Sequence, residues 1–312
     1  MPLPTKKILI TGGSGTIGSV FIEKFYHHYQ FVSFSKNDEK QLALKKKFPR
    51  VALLSGSIED SEFLLNVFKT EKPDIVIHAA ALKRVEIAEN EPSKAIQTNL
   101  LGAMNVIDAS TQAEVPVTIG ISSDKSCSRK NVYGQTKYLM ERLFLKANKN
   151  HNMRFSCCRL SNVACSEGSV IPIWLTLAKK KLPLRITDAG MNRFMLSKHE
   201  VAHLIQETIN ASYQTQAGIF LKKTKAINLL ALAKEISDEI EIIGKRPGEE
   251  LNETLVSQEE VSFSYQEQDY ILIKSIENPN KENRLLSEVN TMNVDTMNQS
   301  ELKIFLAGCA SL

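Results

Sequence analysis

"ILITGGSGTIG", residues 8–18, decides the fold. An apolar run ending in Thr11 meets Gly12, Gly13, Gly15 and Gly18, and helical spacing takes over from Thr16. Gly13, Gly15 and Gly18 satisfy GxGxxG; Gly12, Gly15 and Gly18 satisfy the shifted GxxGxxG. Both spacings allow a tight turn and let backbone approach a pyrophosphate at a helix N-terminus. Lying between a strand and a helix, the cluster reads as a dinucleotide loop rather than a plain glycine turn. Gly12, Ser14, Gly15, Thr16, Ile17 and Gly18 are its expected contacts.

Outward from this loop, short β-rich runs alternate with helix-length stretches. "KILIT" (7–11), "FVSFS" (31–35), "VALLS" (51–55), "DIVIHAA" (74–80), "VTIGIS" (117–122) and "FSCCRL" (155–160) read as strands, with helices over 16–29, 92–112 and 131–148. This alternation predicts βαβ units in an α/β, Rossmann-type, doubly wound parallel sheet. Ligands bind beyond the carboxyl ends of such strands. Ser35 and Lys36 end the second strand, where a free ribose 2′-hydroxyl would want a carboxylate. A hydroxyl and a cation suit a 2′-phosphate, so NADP is favoured over NAD. Ser57, Ile58, Ala79, Ala80, Ala81 and Asn99 are further expected cofactor contacts. After residue 163 the alternation loosens. The expected division is a dinucleotide-binding domain over 1–163 with 190–223 woven back into it. A smaller α/β substrate lobe covers 164–189 and 224–290, and 291–312 form a tail.

The 312 residues are 43% hydrophobic and 24% charged, with a net charge of +4, too little to argue for nucleic acid. No apolar run approaches a membrane span, and the first residues lack a long apolar leader segment, so a cytoplasmic protein is expected. The five cysteines form no CxxC pair and read as small buried apolar residues.

"SSDKSCSRKNVYGQTK", residues 122–137, carries the chemistry. Tyr133 and Lys137, four apart, share a helix face, and Ser123 ends the fifth strand. The set resembles the Ser–Tyr–Lys triad of extended short-chain dehydrogenases/reductases. A nearby ammonium favours the phenolate, so Lys137 is expected to lower the tyrosine pKa. Asp124 and Lys125 add a second acid–base pair. Oxidising a sugar at C4 acidifies C5–H; a base can then take that proton while an acid protonates the departing C6 hydroxyl. Lys125 is the expected base and Asp124 the expected acid, with a loop ion pair as the bland alternative.

"HAAALKRVEIAENEP" (78–92), "SEGSVIPIW" (166–174), "ITDAGMNRFMLS" (186–197) and "IIGKRPGEELNETLV" (242–256) extend the likeness. With the 122–137 stretch and "FSKNDEKQ" (34–41), they resemble the soluble UDP-N-acetylglucosamine 4,6-dehydratases, including inverting, 5-epimerising enzymes of pseudaminic acid and capsular sugar pathways. The resemblance implies an NADP-dependent dehydratase acting on a UDP-sugar, as a homo-oligomer (dimer or hexamer). It implies that Asn162, Val170, Pro172, Arg193, Arg246 and Glu249 contact the substrate; Lys83, just after the fourth strand, is expected to face the same site. This chain departs from the family pattern at Glu167, where a cation is usual, and at Ser57, where an acid is usual. Rival readings are a nucleotide-sugar epimerase or reductase of the same fold, and a non-catalytic NADP-binding sensor. "HEVAH", residues 199–203, matches HExxH. Ser197 three residues before Glu200 reads instead as a capping box, so no metal site is expected.

Overall fold

The computed structural model describes residues 5–148, 152–214, 216–245, 249–268, 270–275 and 282–310. Nine strands form the central sheet: β1 (Lys7–Thr11), β2 (Gln30–Ser35), β3 (Ala52–Ser55), β4 (Ile75–His78), β5 (Val117–Ser123), β6 (Arg154–Leu160), β7 (Ile219–Leu221), β8 (Ser264–Gln266) and β9 (Ile271–Ile273). Their spatial order is β8-β9-β7-β6-β5-β4-β1-β2-β3. β1 to β7 are parallel, while β8 and β9 add an antiparallel edge. The order reverses at β1, between β2 and β4, which opens a crevice at the carboxyl ends. Ile8 and Ile10 pack into one core, and Leu9 between them packs into the other. That alternation explains why the strand is apolar throughout: both sheet faces are covered.

Helix α1 (Thr16–Phe25) lies on one face with Lys198–Tyr213. α2 (Asp38–Lys47) and α3 (Ser61–Glu71) follow β2 and β3. The expected helix over 92–112 is broken: Pro92–Ala95 leads into a wide π-turn at Ile96–Leu101, and α4 (Gly102–Gln112) follows. α5 (Val132–Ala147) carries Tyr133 and Lys137, and the Asn131 side chain caps it by accepting from Gly134 N.

The second lobe is built on Val170–Lys179, whose Trp174 is buried, and on short strand pairs. Asn192–Leu196 pairs with Asn162–Val163 and Ala226–Asn228. Lys198–Tyr213 packs on α1, and β7 pairs with β6 in the main sheet. β8 and β9 complete the main sheet at its edge. All three residues of β9 are buried there, so the exit from the lobe follows an apolar run the loose alternation concealed. Gln299–Ala310 is a helix that docks on the lobe core through Leu302 and Cys309. The Ser197–Glu200 capping box forms as expected, and Glu200 also accepts from Lys222 Nζ at 2.9 Å. Among the described residues, no helix is long and apolar enough to cross a membrane.

Candidate active site

A cleft of about 600 Å³ runs along the carboxyl ends of the strands. The glycine loop forms one wall. Gly12 has φ +71°, and a Cβ there would stand 2.8 Å from Ala80 N. Backbone cannot retreat as a flexible side chain can, so the position accepts only glycine. Gly18 faces away from the cleft and seats α1 against Gly13, where an added Cβ would meet Gly13 Cα at 2.6 Å. Ser14, Gly15, Thr16 and Ile17 line the cleft, as do Ile58, Ala79, Ala80 and Ala81. These residues fit a dinucleotide: the loop exposes backbone at the α1 N-terminus, where a pyrophosphate is stabilised. Gly12→Ala is expected to cost about 1–3 kcal/mol in backbone strain. Calorimetry should then show dinucleotide binding weakened by about tenfold or more, from the same strain.

At the end of β2, Ser35 Oγ accepts from Ser14 Oγ at 2.8 Å. Lys36 lines the cleft and pairs with Glu59 at 3.0 Å. Lys40, which sequence reading did not single out, lines it too and pairs with Glu167 at 2.5 Å. The signal for Lys40 was available: it lies on α2 one turn past Lys36. Ser57 accepts from Glu59 N at 3.1 Å and is not part of the cleft lining. Asn99 is fully buried in the π-turn. Its amide bonds both backbone groups of Leu82 and accepts no place on the cleft wall; Nδ2 also donates to Thr136 Oγ1 at 3.1 Å. It thereby ties the loop after β4 to the helix that carries Lys137.

The floor of the cleft is the turn after β5. Asp124 N donates to Leu160 O at 2.9 Å, which pins this turn to the end of β6. Residues Lys125–Ser128 form one helical turn, and α5 packs directly on it. A Cβ on Gly134 would stand 2.3 Å from Lys125 O, so the glycine after Tyr133 permits this approach. Ser123, Asp124, Lys125, Tyr133 and Lys137 all line the cleft. Ser123 Oγ donates to Asp124 Oδ1 at 2.8 Å. Lys125 Nζ donates to Asp124 Oδ2 at 2.9 Å, to Asn162 Oδ1 at 3.1 Å and to Glu253 Oε1 at 3.0 Å. The Asp–Lys pair is thus no surface ion pair: Asp124 is 4% exposed.

The electrostatics differ from expectation at the tyrosine. Burial raises the Tyr133 phenol to about 12, against the opposing pull of the Lys125 ammonium and a hydrogen bond with Ser123. Lys137 is not the cation that lowers it. Its Nζ donates to Ile121 O at 2.7 Å, and burial lowers it to about 8. The reason is reach: the lysine turns back onto the β5 backbone. Burial raises the Asp124 carboxyl, more than Lys125 lowers it. Burial works against the Lys125 charge, but Asp124 and Glu253 outweigh it and hold the ammonium.

Glu253 was missed. It stands in "ELNETLV", a segment already noted, as an acid at the entry to an apolar strand, Thr254–Val256. It is 8% exposed. Burial opposes its charge, but Lys125, Arg193 and Asn162 hold its carboxyl below the usual range. Arg193 Nε lies 3.3 Å from Glu253, and its Nη atoms donate to the carbonyls of Asn192, Leu251 and Glu250. Arg193 is therefore turned into this buried loop, 3.9 Å from Glu249, rather than into the cleft. Asn162 and Lys83 line the cleft; Val170, Pro172 and Glu249 do not. Arg246 lies outside the described residues.

A Rossmann-type sheet with Ser123, Tyr133 and Lys137 beside a glycine loop defines the class, an enzyme of the extended short-chain dehydrogenase/reductase type. The chain belongs to the polysaccharide biosynthesis protein family, which matches residues 8–275. It is 34% identical over 292 residues to the UDP-N-acetylglucosamine 4,6-dehydratase (inverting) of Campylobacter jejuni subsp. jejuni, covering 89% of this chain and 86% of that one. It is also 34% identical over 275 residues to the UDP-glucose 4-epimerase of Rickettsia bellii, covering 82% and 79%. The crystal structure of Pen from Bacillus thuringiensis superposes with a TM-score of 0.89 at 28% identity, each chain covered 100%.

Proposed function

We propose that the chain is an NADP-dependent UDP-N-acetylglucosamine 4,6-dehydratase that inverts C5, works in the cytoplasm as a homo-oligomer and feeds synthesis of a modified surface sugar such as pseudaminic acid. The observation that carries this reading is the buried Asp124–Lys125 pair on the cleft floor beside Tyr133. An epimerase needs only the tyrosine and its serine. A second acid and base at the same floor supports removal of water as well.

The residues divide the work. Gly12, Ser14, Gly15, Thr16 and Ile17 would hold the cofactor pyrophosphate, while Ala79, Ala80 and Ala81 give the opposite wall. A nicotinamide dinucleotide held between these walls would supply the hydride chemistry at C4 and C6 of the sugar. Tyr133, once ionised to the phenolate, accepts the C4 hydroxyl proton, oriented by Ser123. Lys125, as free amine, takes the C5 proton. Asp124, as carboxylic acid, protonates the C6 hydroxyl, which leaves as water. The Lys125 ammonium then gives a proton back to C5 and is a free amine again. The turnover leaves Tyr133 with one proton more and Asp124 with one fewer. Ser123 bonds Asp124 at 2.8 Å and also bonds Tyr133, so it supplies a path that restores both. Asn162 and Lys83 would contact the nucleotide sugar.

Ser35 and Lys36 at the end of β2, with Lys40 on α2, support NADP. An added charge-assisted contact should make NADP⁺ bind about tenfold or more tighter than NAD⁺ by calorimetry; equal binding would contradict the preference. Exposed Ile96, Leu101, Met104 and Leu139, along the 96–112 stretch and α5, support pairing with a second copy. The function itself is tested by incubating the protein with UDP-N-acetylglucosamine and NADP⁺. Mass spectrometry should find a product lighter by one water. A product of unchanged mass and altered C4 configuration would establish the epimerase instead.

A further inference from the structure

Lys125 is saturated. An ammonium has three N–H donors, and three side chains receive them: Asp124, Asn162 and Glu253. A lysine in that state cannot accept a proton from C5, so one of its protons must leave first. Two carboxylates touch it, and they are not equivalent. Glu253 accepts from Asn162 Nδ2 at 2.8 Å and from Phe194 N at 3.0 Å, and Arg193 Nε lies 3.3 Å away. Among the described residues, Asp124 has only Lys125 and the Ser123 hydroxyl as side-chain partners, and it is buried.

We propose that Glu253 is a positioning residue for the dehydration step: it stays ionised, holds Lys125 and Asn162 in place, and leaves Asp124 as the acceptor of the proton that Lys125 releases. In that transfer one Lys125 N–H bond breaks and one O–H bond forms on an Asp124 oxygen. An ion pair becomes a neutral amine and a neutral acid, and the total charge of the cluster is unchanged. The products are the base and the acid that the reaction uses. The assignment rests on the dehydratase reading for its role in turnover, but not for its effect on Lys125. Among the described residues, the charged and titratable groups around Lys125 are Asp124, Tyr133 and Glu253, with Arg193 behind Glu253.

Glu253→Gln keeps the volume and an oxygen for Asn162 and Phe194 N, and removes the charge. The first readout needs no sugar: acetic anhydride labelling of the full chain across a pH series, with the Lys125 peptide quantified by mass spectrometry. Losing one adjacent anion should shift the lysine midpoint down by about one unit and speed its acylation about tenfold at moderately alkaline pH. Acylation equal to wild type overturns the assignment, whether or not the enzyme turns over. The second readout is kinetic. For Glu253→Gln, kcat should fall about tenfold or more, KM for UDP-N-acetylglucosamine should hold, and the pH–rate profile should move to lower pH. A drop in Tm with an unmoved pH profile would mean a merely structural residue and would also overturn the assignment. Faster acylation in the variant with no dehydration by wild type would instead sink the dehydratase reading while retaining the Glu253–Lys125 link.

Discussion

Lys125→Met is expected to stop loss of water while leaving the first oxidation slowed but in place, since the Lys125 ammonium also favours the Tyr133 phenolate. The lysine meets Asp124, Asn162 and Glu253, whereas the proposed C4 step draws on Tyr133 and Ser123. Removing a positioned general base typically costs about 100- to 10,000-fold, so dehydration should fall into that range. The oxidised C4 intermediate should then accumulate with reduced nicotinamide, seen as rising near-ultraviolet absorbance after substrate is added. Tyr133→Phe should show neither absorbance change nor product, because the hydride transfer itself needs the phenol oxygen. An epimerase would respond differently: Lys125→Met would keep most of its turnover. The substitution leaves Asp124 and Glu253 buried without their shared cation, so one of them must take a proton. Binding of the dinucleotide, measured alongside, separates that disturbance from the chemical loss.

Arg159→Met should produce the largest loss of stability. Arg159 is 1% exposed at the end of β6. Its guanidinium grips Glu141 at 2.9 and 2.7 Å and Glu260 at 2.9 and 2.7 Å, and donates to Leu255 O at 2.8 Å. This fork joins α5, the strand Thr254–Val256 and the turn that holds Lys125, since Ser126 Oγ also donates to Glu141 at 3.1 Å. Taking away one partner leaves a buried charge uncompensated, a loss of about 3–5 kcal/mol. Thermal or denaturant unfolding would read it. Replacing Arg159, Glu141 and Glu260 together by apolar residues should cost less than the single change, because no orphan charge remains. The acid limb gives a second check. The Glu260 carboxyl is held down at about 2, with the Arg159 guanidinium overcoming the cost of burial. Its folded value lies below the ordinary 4.5, so its stabilisation is fully present above 4.5 and is lost as pH falls toward 2. The gap between wild type and Arg159→Met should narrow over that window.

How much of this was legible beforehand depends on where each interaction closes. β1 to β6 were readable because a fully covered parallel strand must be apolar along its whole length, and each was bounded by turn residues. The glycine loop and the 122–137 stretch were readable because their contacts are local. β8 and β9 were not, because a three-residue edge strand carries no period. The π-turn at Ile96–Leu101 looks like ordinary helix in sequence, and only the burial of Asn99 against Leu82 shows why the helix widens. Glu253 lies 128 positions from Lys125, so no spacing rule could join them. Arg193 misled for a related reason. An arginine in a polar loop suits a phosphate in isolation, yet here three backbone carbonyls and Glu253 had already claimed its donors.

The measurement that tests the central claim most directly is NMR of the protein with UDP-N-acetylglucosamine in D₂O. Dehydration with internal hydride return predicts a 4-keto-6-deoxy sugar nucleotide with deuterium at C5, and with C6 carrying the hydrogen that began at C4. Couplings around C5 should report the inverted configuration. A spectrum unchanged after NADP⁺ is added, or a C4 epimer with no deuterium at C5, would contradict the account.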